Sequence, residues 1–526
     1  MLQFCLRRLA RWGERMPHHR LWLGLALSLS LACAPAPESD PEARADTSDG
    51  QEPRGLRVHH PKASPGYVLF TPLSSTSTYL VDNDGLVVHV WDSDLGPGTV
   101  YLLDNGNLLR TEREPDVPVF SGGGQNGRIR EYTWDGRLVW DFLLANEERL
   151  LHHDIERLPS GNVLAISWES KTKEESQRAG RRPGRIPEAG LWPDVVLELE
   201  PQPPDGARIV WEWHAWDHLI QNIDERLENF GNPSDHPERI HINGDVEAAQ
   251  IDPKELEQLK ALGYVAEETD EEDIRSDLFH TNAIHYNATL NQIALSSNTF
   301  DEIWVIDHST STEEAAGSSG GRWGRGGDLL YRWGNPLTYD RARNTPKQRG
   351  GQHDIRWIPE GYPGAGHLMV FNNNVGGRGD GSHSSVLEFA PPTDSAGRYI
   401  VPEEDPFGPA KAAWTYEAPD KVSFHSSFIS GAHRLPNGNT MIASGAQGRF
   451  LEVTSDGEIV WEYSNPYSGD LVRGEDSPVA REPRAVFRAT RILPDHSALA
   501  GKSLKPLDPQ PEILPPPVPP GPVEGN

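Results

Sequence analysis

One short pattern recurs six times along the chain and restricts its fold more than any other feature. An apolar run follows a turn and ends on or near an aromatic residue. It reads LVVHVW (Leu86–Trp91), RLVWDF (Arg137–Phe142) and RIVWEW (Arg208–Trp213), then DLLYRW (Asp328–Trp333), AAWTYE (Ala412–Glu417) and EIVWEY (Glu458–Tyr463). Most copies alternate with period two, as a half-buried strand does. Three follow an Asp-Gly turn, at Asp84-Gly85, Asp135-Gly136 and Asp456-Gly457. A second pattern, a strand running into a tight turn, precedes the first in most units: LLDNGN (Leu102–Asn107), RLPSGN (Arg157–Asn162), WIPEG (Trp357–Gly361) and RLPNGN (Arg434–Asn439). HYNATLNQI (His285–Ile293) fills the same slot with another turn. Each unit therefore reads as four antiparallel strands, and six such units predict an all-β, six-bladed β-propeller. An irregular sandwich is the competing architecture, and the repeat count and the length of 526 residues weigh against it. The 50 glycines and 45 prolines suit short strands joined by many turns.

Two long departures interrupt the repeats. Ser170–Glu188 is charged and reads as a helix or a loop. His214–Ser276 contains IDPKELEQLKALGY, a short amphipathic helix with Asp252 as cap and Pro253 at its first position. Insertions of this length belong on one rim, where they can cover a channel mouth. The remaining boundaries are a signal peptide over 1–33, a disordered linker over 34–60 and the propeller over 61–466. A C-terminal extension packed on the propeller takes 467–505, and a Pro-rich disordered tail 506–526.

The N-terminal segment reads as a targeting signal. Leu21–Ala32 is apolar, too short for an ordinary membrane span and right for the core of an export signal, and arginines precede it. Ala32-Cys33 then reads as a lipoprotein cleavage site with Cys33 lipidated; plain cleavage without lipid is the alternative. The expected location is the periplasm or cell envelope, with membrane contact only through that anchor. The formal net charge of −29 argues against nucleic acid as a partner. The two cysteines, Cys5 and Cys33, both lie in this segment, so the folded part has no disulfide and no thiolate metal site.

Histidines fall at matching places in different units, just before or within the first strand: HHD (His152, His153, Asp154), FHTN (His280, Thr281, Asn282), QHD (Gln352, His353, Asp354) and FHSS (His425, Ser426, Ser427). First strands line a propeller's channel, so these positions converge at one mouth. A lone histidine beside a turn is usually a strand-end hydrogen bonder; four at comparable positions suggest a cluster that works as a metal, acid–base or nucleophilic site. The ligands would come from separate blades without a shared carboxylate pattern, and this argues against a metal.

These residues resemble the bacterial arylsulfate sulfotransferase family over roughly Gly66 to Leu504. The matching stretches include LLHHDIERLPSGNVLAISWESKT, DLFHTNAIHYNATLNQIALSSNTFDEIWVIDHST, GQHDIRWIPEGYPGAGHLMVFNN and GAHRLPNGNTMIASGAQGRFLEV. The resemblance implies a six-bladed propeller that moves a sulfuryl group from a phenolic sulfate ester to a phenolic acceptor by a ping-pong route. Such an enzyme needs neither a nucleotide sulfate donor nor another cofactor. It implies that His353 is the nucleophile and is transiently sulfated, that His280 is a second active-site histidine with Asn282 beside it, and that His153 is a third, with His152 as the alternative. His425 is carried as a further substrate-binding candidate. One departure stands out: eighteen residues after His280, where the family carries a sulfate-holding arginine, this chain has Asn298. Arg378 is a candidate substitute. A non-catalytic propeller that binds sulfated or phenolic ligands is the runner-up reading, and the expectation leaves room for a homodimer.

Overall fold

The computed structural model describes residues 54–245, 269–341, 350–376, 381–469 and 484–513, together with positions 253, 256, 257, 260, 265 and 471. The export signal, Cys33, Asp252, Arg378 and the Pro-rich end of the tail lie outside the described residues. Six antiparallel sheets form the blades of a propeller. From the channel outward, blade 2 is Pro97–Leu102, Leu108–Arg113, Gly127–Tyr132 and Leu138–Leu143. Blade 3 is Arg149–Arg157, Val163–Glu169, Asp194–Gln202 and Gly206–His214. Blade 4 is Thr281–Asn287, Gln292–Ser297, Glu302–Asp307 and Tyr331–Trp333. Blade 5 is His353–Trp357, Leu368–Val375, His383–Phe389 and Trp414–Tyr416, and blade 6 is Gly431–Arg434, Thr440–Ser444, Arg449–Val453 and Ile459–Ser464.

Blade 1 joins the two ends of the chain. Tyr67–Pro72, Thr78–Asp82 and Val87–Trp91 are its outer three strands, and its inner strand is Val486–Ile492. Val486–Ile492, within the segment read as an extension packed on the propeller, thus supplies one wall of the channel. Gly55–His59, inside the segment read as linker, pairs with Ile459–Ser464 as a fifth strand of blade 6. These two pairings close the ring from both termini, so blades 1 and 6 cannot separate without breaking strand ladders.

The six repeats of the aromatic pattern coincide with the fourth strands, and the structure gives their reason. A ring N–H of each fourth strand donates to a backbone carbonyl in the turn that leads into the fourth strand of the next blade. His89 donates to Trp134 O at 2.8 Å, Trp140 to Gly206 O at 2.8 Å, and Trp213 to Gly327 O at 2.8 Å. Trp333 donates to Pro409 O at 2.8 Å, Trp414 to Ser455 O at 2.8 Å, and Trp461 to Asn83 O at 2.9 Å. A buried indole carries a large apolar body and one donor, so it can fill the seam between blades and satisfy a turn carbonyl at once. Apolar clusters fill every seam between neighbouring blades. The Asp-Gly turns are needed for geometry: Gly85, Gly136 and Gly457 stand at φ +77°, +79° and +84°, which a Cβ would disfavour.

The structure describes the first rim insertion and scattered positions of the helix read in the second. Within Ser170–Glu188, Lys173–Arg178 is a helix held by a reciprocal cap between Thr172 and Glu175. Of the helix read in IDPKELEQLKALGY, Pro253, Leu256, Glu257 and Lys260 are helical. Leu256 and Val265 are buried against Leu73, Ile429, Ala485 and Phe487, beside the histidine end of the channel.

Candidate active site

Among the described residues, five of the eight non-glycine positions with positive φ gather toward one mouth of the channel: His153 (+50°), His280 (+49°), Asp354 (+58°), Ile429 (+50°) and Ser430 (+96°). Left-handed backbone disfavours residues with a Cβ, and a β-branched residue such as Ile429 most of all. Strain of this kind persists only where the surroundings hold it, and it clusters at functional sites. Here it bends the upstream ends of the inner strands of blades 3, 4 and 5, where pairing registers slip between Ala165 and Ser167, Thr281 and Ile284, and His353 and Arg356. The bulges turn His153, His280 and His353 toward a common space.

His353 is buried and its two ring nitrogens face opposite partners. Nδ1 lies 2.8 Å from Asn373 Oδ1 and 3.1 Å from Gly351 O, while Ile429 N–H donates to Nε2 at 3.2 Å. Asn373 Nδ2 donates to the carbonyls of Ser426 and Ile429, at 2.7 and 2.8 Å, which leaves Oδ1 as the atom turned to the ring. Two acceptors at Nδ1 and a donor at Nε2 define one tautomer: the proton sits on Nδ1 and the lone pair on Nε2. Burial, with smaller effects of His280 and Arg488, lowers the His353 pKa to about 3 against the favourable Asn373 bond, so the ring is neutral near pH 7.

His280 is the most open of the three, its side chain 22% exposed. Its Nδ1 pairs with the Asp277 carboxylate, which also accepts the Trp168 indole N–H at 3.0 Å. The His153 ring meets His280 edge to face, centroids 4.5 Å apart. Burial first, then repulsion from His280, His152 and His353, holds the His153 pKa well below its ordinary value. His152 turns the other way: it stacks on Trp168 at 4.2 Å and places Nε2 3.3 Å from Asp194 Oδ1, while its Nδ1 meets His153 Nδ1 at 2.8 Å. Gly124 is required here, since a Cβ would stand 2.2 Å from His153 Nε2.

Asn282 is fully buried and donates from Nδ2 to Gln352 O at 2.8 Å, so it holds the residue that precedes His353. Asn298 reaches the same carbonyl at 3.4 Å, and its own N–H donates to His280 O at 3.2 Å. His425 stands apart from the three rings: its Nε2 bonds Asn374 Oδ1 at 3.1 Å. Among the described residues no three His, Cys, Asp or Glu side chains converge to hold a metal ion.

Beneath the histidines lies a layer of paired charges that the sequence did not reveal. The aspartates of HHD and QHD do not orient their neighbouring imidazoles; they grip Arg488 on the closing strand. Arg488 Nη2 donates to Asp154 Oδ2 at 3.0 Å, and its Nε lies 2.9 Å from Asp354 Oδ1. Tyr101 donates to Asp154 at 2.5 Å and Arg356 to Asp354 at 2.8 Å. Burial alone would raise the Asp354 carboxyl; Arg356 and Arg488 hold it below its ordinary value. Asn373, Asp277 and the Ile429 amide also escaped sequence reading. Only the NNN run at 372–374 marks the first, and nothing in the sequence marks the amide.

The sequence profile of one family, described as Arylsulfotransferase (ASST), matches residues 62–469, more than half of the chain. No curated protein matches it. Similar solved structures include a protein of unknown function from Bacteroides caccae, 12% identical over 81% of this chain and 98% of that one, with TM-score 0.39. A putative 6-phosphogluconolactonase from Bacteroides fragilis is 9% identical over 82% and 99%, with TM-score 0.36. The virginiamycin B lyase from Staphylococcus aureus is 12% identical over 79% and 85%, with TM-score 0.33.

Proposed function

The chain belongs to the arylsulfotransferase (ASST) family, and from this premise we propose that it transfers a sulfuryl group from an aryl sulfate ester to a phenol through a sulfated His353. The observation that carries the reading is the pair of opposed contacts on the His353 ring: acceptors at Nδ1 and an N–H at Nε2. A neutral imidazole with its lone pair fixed on one nitrogen is the form a nucleophile needs.

In the first half-reaction Nε2 attacks sulfur, the bond from sulfur to the aryl oxygen breaks, and its electron pair leaves with the phenolate. The ring keeps its Nδ1 proton, donated to Asn373. For Nε2 to attack, the Ile429 N–H must first leave its lone pair, and that N–H is then free to donate to a sulfuryl oxygen. Preorganised donors of this kind act on the charge that spreads in the transition state. His280, oriented through Nδ1 by Asp277, enters the first half-reaction with both nitrogens protonated, gives its Nε2 proton to the phenolate and recovers one from the acceptor phenol in the second. His153 faces the same space as a neutral hydrogen-bonding group. In the second half-reaction the acceptor oxygen attacks sulfur, the N–S bond breaks and the lone pair returns to Nε2. We assign substrate contact to Asn298, and to His152 and Asn282 the support of His153 and of the Gln352 carbonyl. The Leu21–Ala32 run and Cys33 support export to the cell envelope, with lipid on Cys33.

Two-substrate kinetics with 4-nitrophenyl sulfate and a phenol test the reading. Parallel double-reciprocal lines are expected, with one burst of nitrophenolate per enzyme without acceptor and no effect of a chelator. Converging lines, or acceptor-independent hydrolysis lost on chelation, would contradict it.

A further inference from the structure

The two ends of the channel differ in chemistry, and a cavity opens at the end away from the histidine mouth just described. It measures about 240 Å³ and is lined among others by His285, Arg356, Tyr362, Met369, His433 and Leu493. The charged layer of Asp154, Arg488 and Asp354 separates it from His353.

Its floor is built from donors. Trp357 N–H donates to His285 Nδ1 at 3.4 Å, and Arg491 N–H donates to His433 Nε2 at 3.2 Å. Each imidazole is thus an acceptor at one nitrogen, which leaves the proton on the other, His285 Nε2 and His433 Nδ1. Burial, then the charge of Arg356, lowers both rings to about 3, so they are neutral donors near pH 7. The Arg356 guanidinium spends one nitrogen on Asp354, and its Nη2 has no partner among the described residues. The other two arginines at this mouth are pinned from behind, Arg434 by Glu388 and Arg491 by Glu452. The acid at the rim, Asp495, is exposed. The Arg356 side chain is 16% exposed, so an anion that reaches its guanidinium gains a charge-assisted hydrogen bond. Above this floor the wall is apolar and partly aromatic, through Tyr362, Met369 and Leu493.

We propose that this far mouth is a binding site for a small organic anion, a carboxylate or sulfonate carried on a single aromatic ring. The oxyanion sits on Arg356 and the His285 and His433 N–H groups, and the ring lies against Tyr362, Met369 and Leu493. The volume is at the small end of ligand pockets and suits one ring rather than a larger ligand. The assignment does not depend on sulfuryl transfer at His353, so either can fail without the other.

The probe is 4-bromobenzoate on the full chain. Crystals soaked with it should show anomalous bromine density beside Tyr362 and Met369. Calorimetry should show binding that weakens at least about tenfold in Arg356→Met, the loss of one charge-assisted contact worth roughly 1.4 kcal/mol or more. Leu493→Trp fills the apolar wall without touching the charged layer and should weaken binding similarly; it decides the matter if Arg356→Met does not fold. Inorganic sulfate should bind at least about tenfold more weakly than the bromobenzoate. Bromine only beside His353, no bromine at all, or unchanged affinity in Leu493→Trp would overturn the site. Equal affinity for sulfate would overturn the role of the apolar wall.

Discussion

Asn373 does for His353 what neither of its sequence neighbours does. Its amide is locked by the Ser426 and Ile429 carbonyls, so its oxygen can only accept, and the imidazole must keep its proton on Nδ1. Replacing it with leucine removes the acceptor while Gly351 O remains. We expect Asn373→Leu to lower kcat by about tenfold or more, the effect of roughly 1.4 kcal/mol at the transition state, with KM changed less than about twofold. Steady-state kinetics check this; a rise in KM at unchanged kcat would assign Asn373 to binding instead. Asn298 poses the converse question. It lies beside His280, and its side-chain amide meets Gln352 O at 3.4 Å, a weak tie for an amide. An arginine there offers a charged fork to sulfate oxygens that an amide cannot match. Asn298→Arg should therefore lower the KM for an aryl sulfate by about tenfold, on the scale of one charge-assisted hydrogen bond. No change in KM would mean that donor binding is organised elsewhere.

At the scale of strands and blades, the recurring aromatic is both a packing unit and a staple. Trp461 fills the seam between blades 6 and 1 and donates to Asn83 O at 2.9 Å, so it reinforces the ring where the two termini meet. Trp461→Phe keeps most of the volume but orphans that carbonyl. Urea unfolding should show a loss of about 1 kcal/mol, the net worth of one half-buried hydrogen bond; a loss under about 0.5 kcal/mol would show that packing alone serves the seam. This regularity is why the propeller is legible in the sequence: each fourth strand needs an aromatic, and each Asp-Gly turn needs its glycine. The histidines are legible for the same reason, because equivalent positions on inner strands share one mouth. What stays hidden depends on neighbours remote in sequence. Val486–Ile492 lies outside the repeat pattern yet completes blade 1, and Asp154 and Asp354 look like partners of their adjacent histidines until Arg488 arrives from that strand. The Ile429 amide leaves no mark in sequence because its orientation comes from backbone strain.

For the whole molecule, the ring of blades buries His353 deeply enough to keep it neutral, and its pKa near 3 leaves Nε2 unprotonated throughout the neutral range. The same burial would keep water from the sulfated imidazole proposed above, so that intermediate should outlive donor turnover when no acceptor is present. Mass spectrometry of the protein mixed with 4-nitrophenyl sulfate alone, quenched and digested, tests the central claim most directly. The account predicts an added SO3 on the peptide that carries His353, gone after a phenol is supplied and absent in His353→Ala, which should have lost transfer. An adduct on His280, His425 or His433, or full transfer activity in His353→Ala, would contradict it.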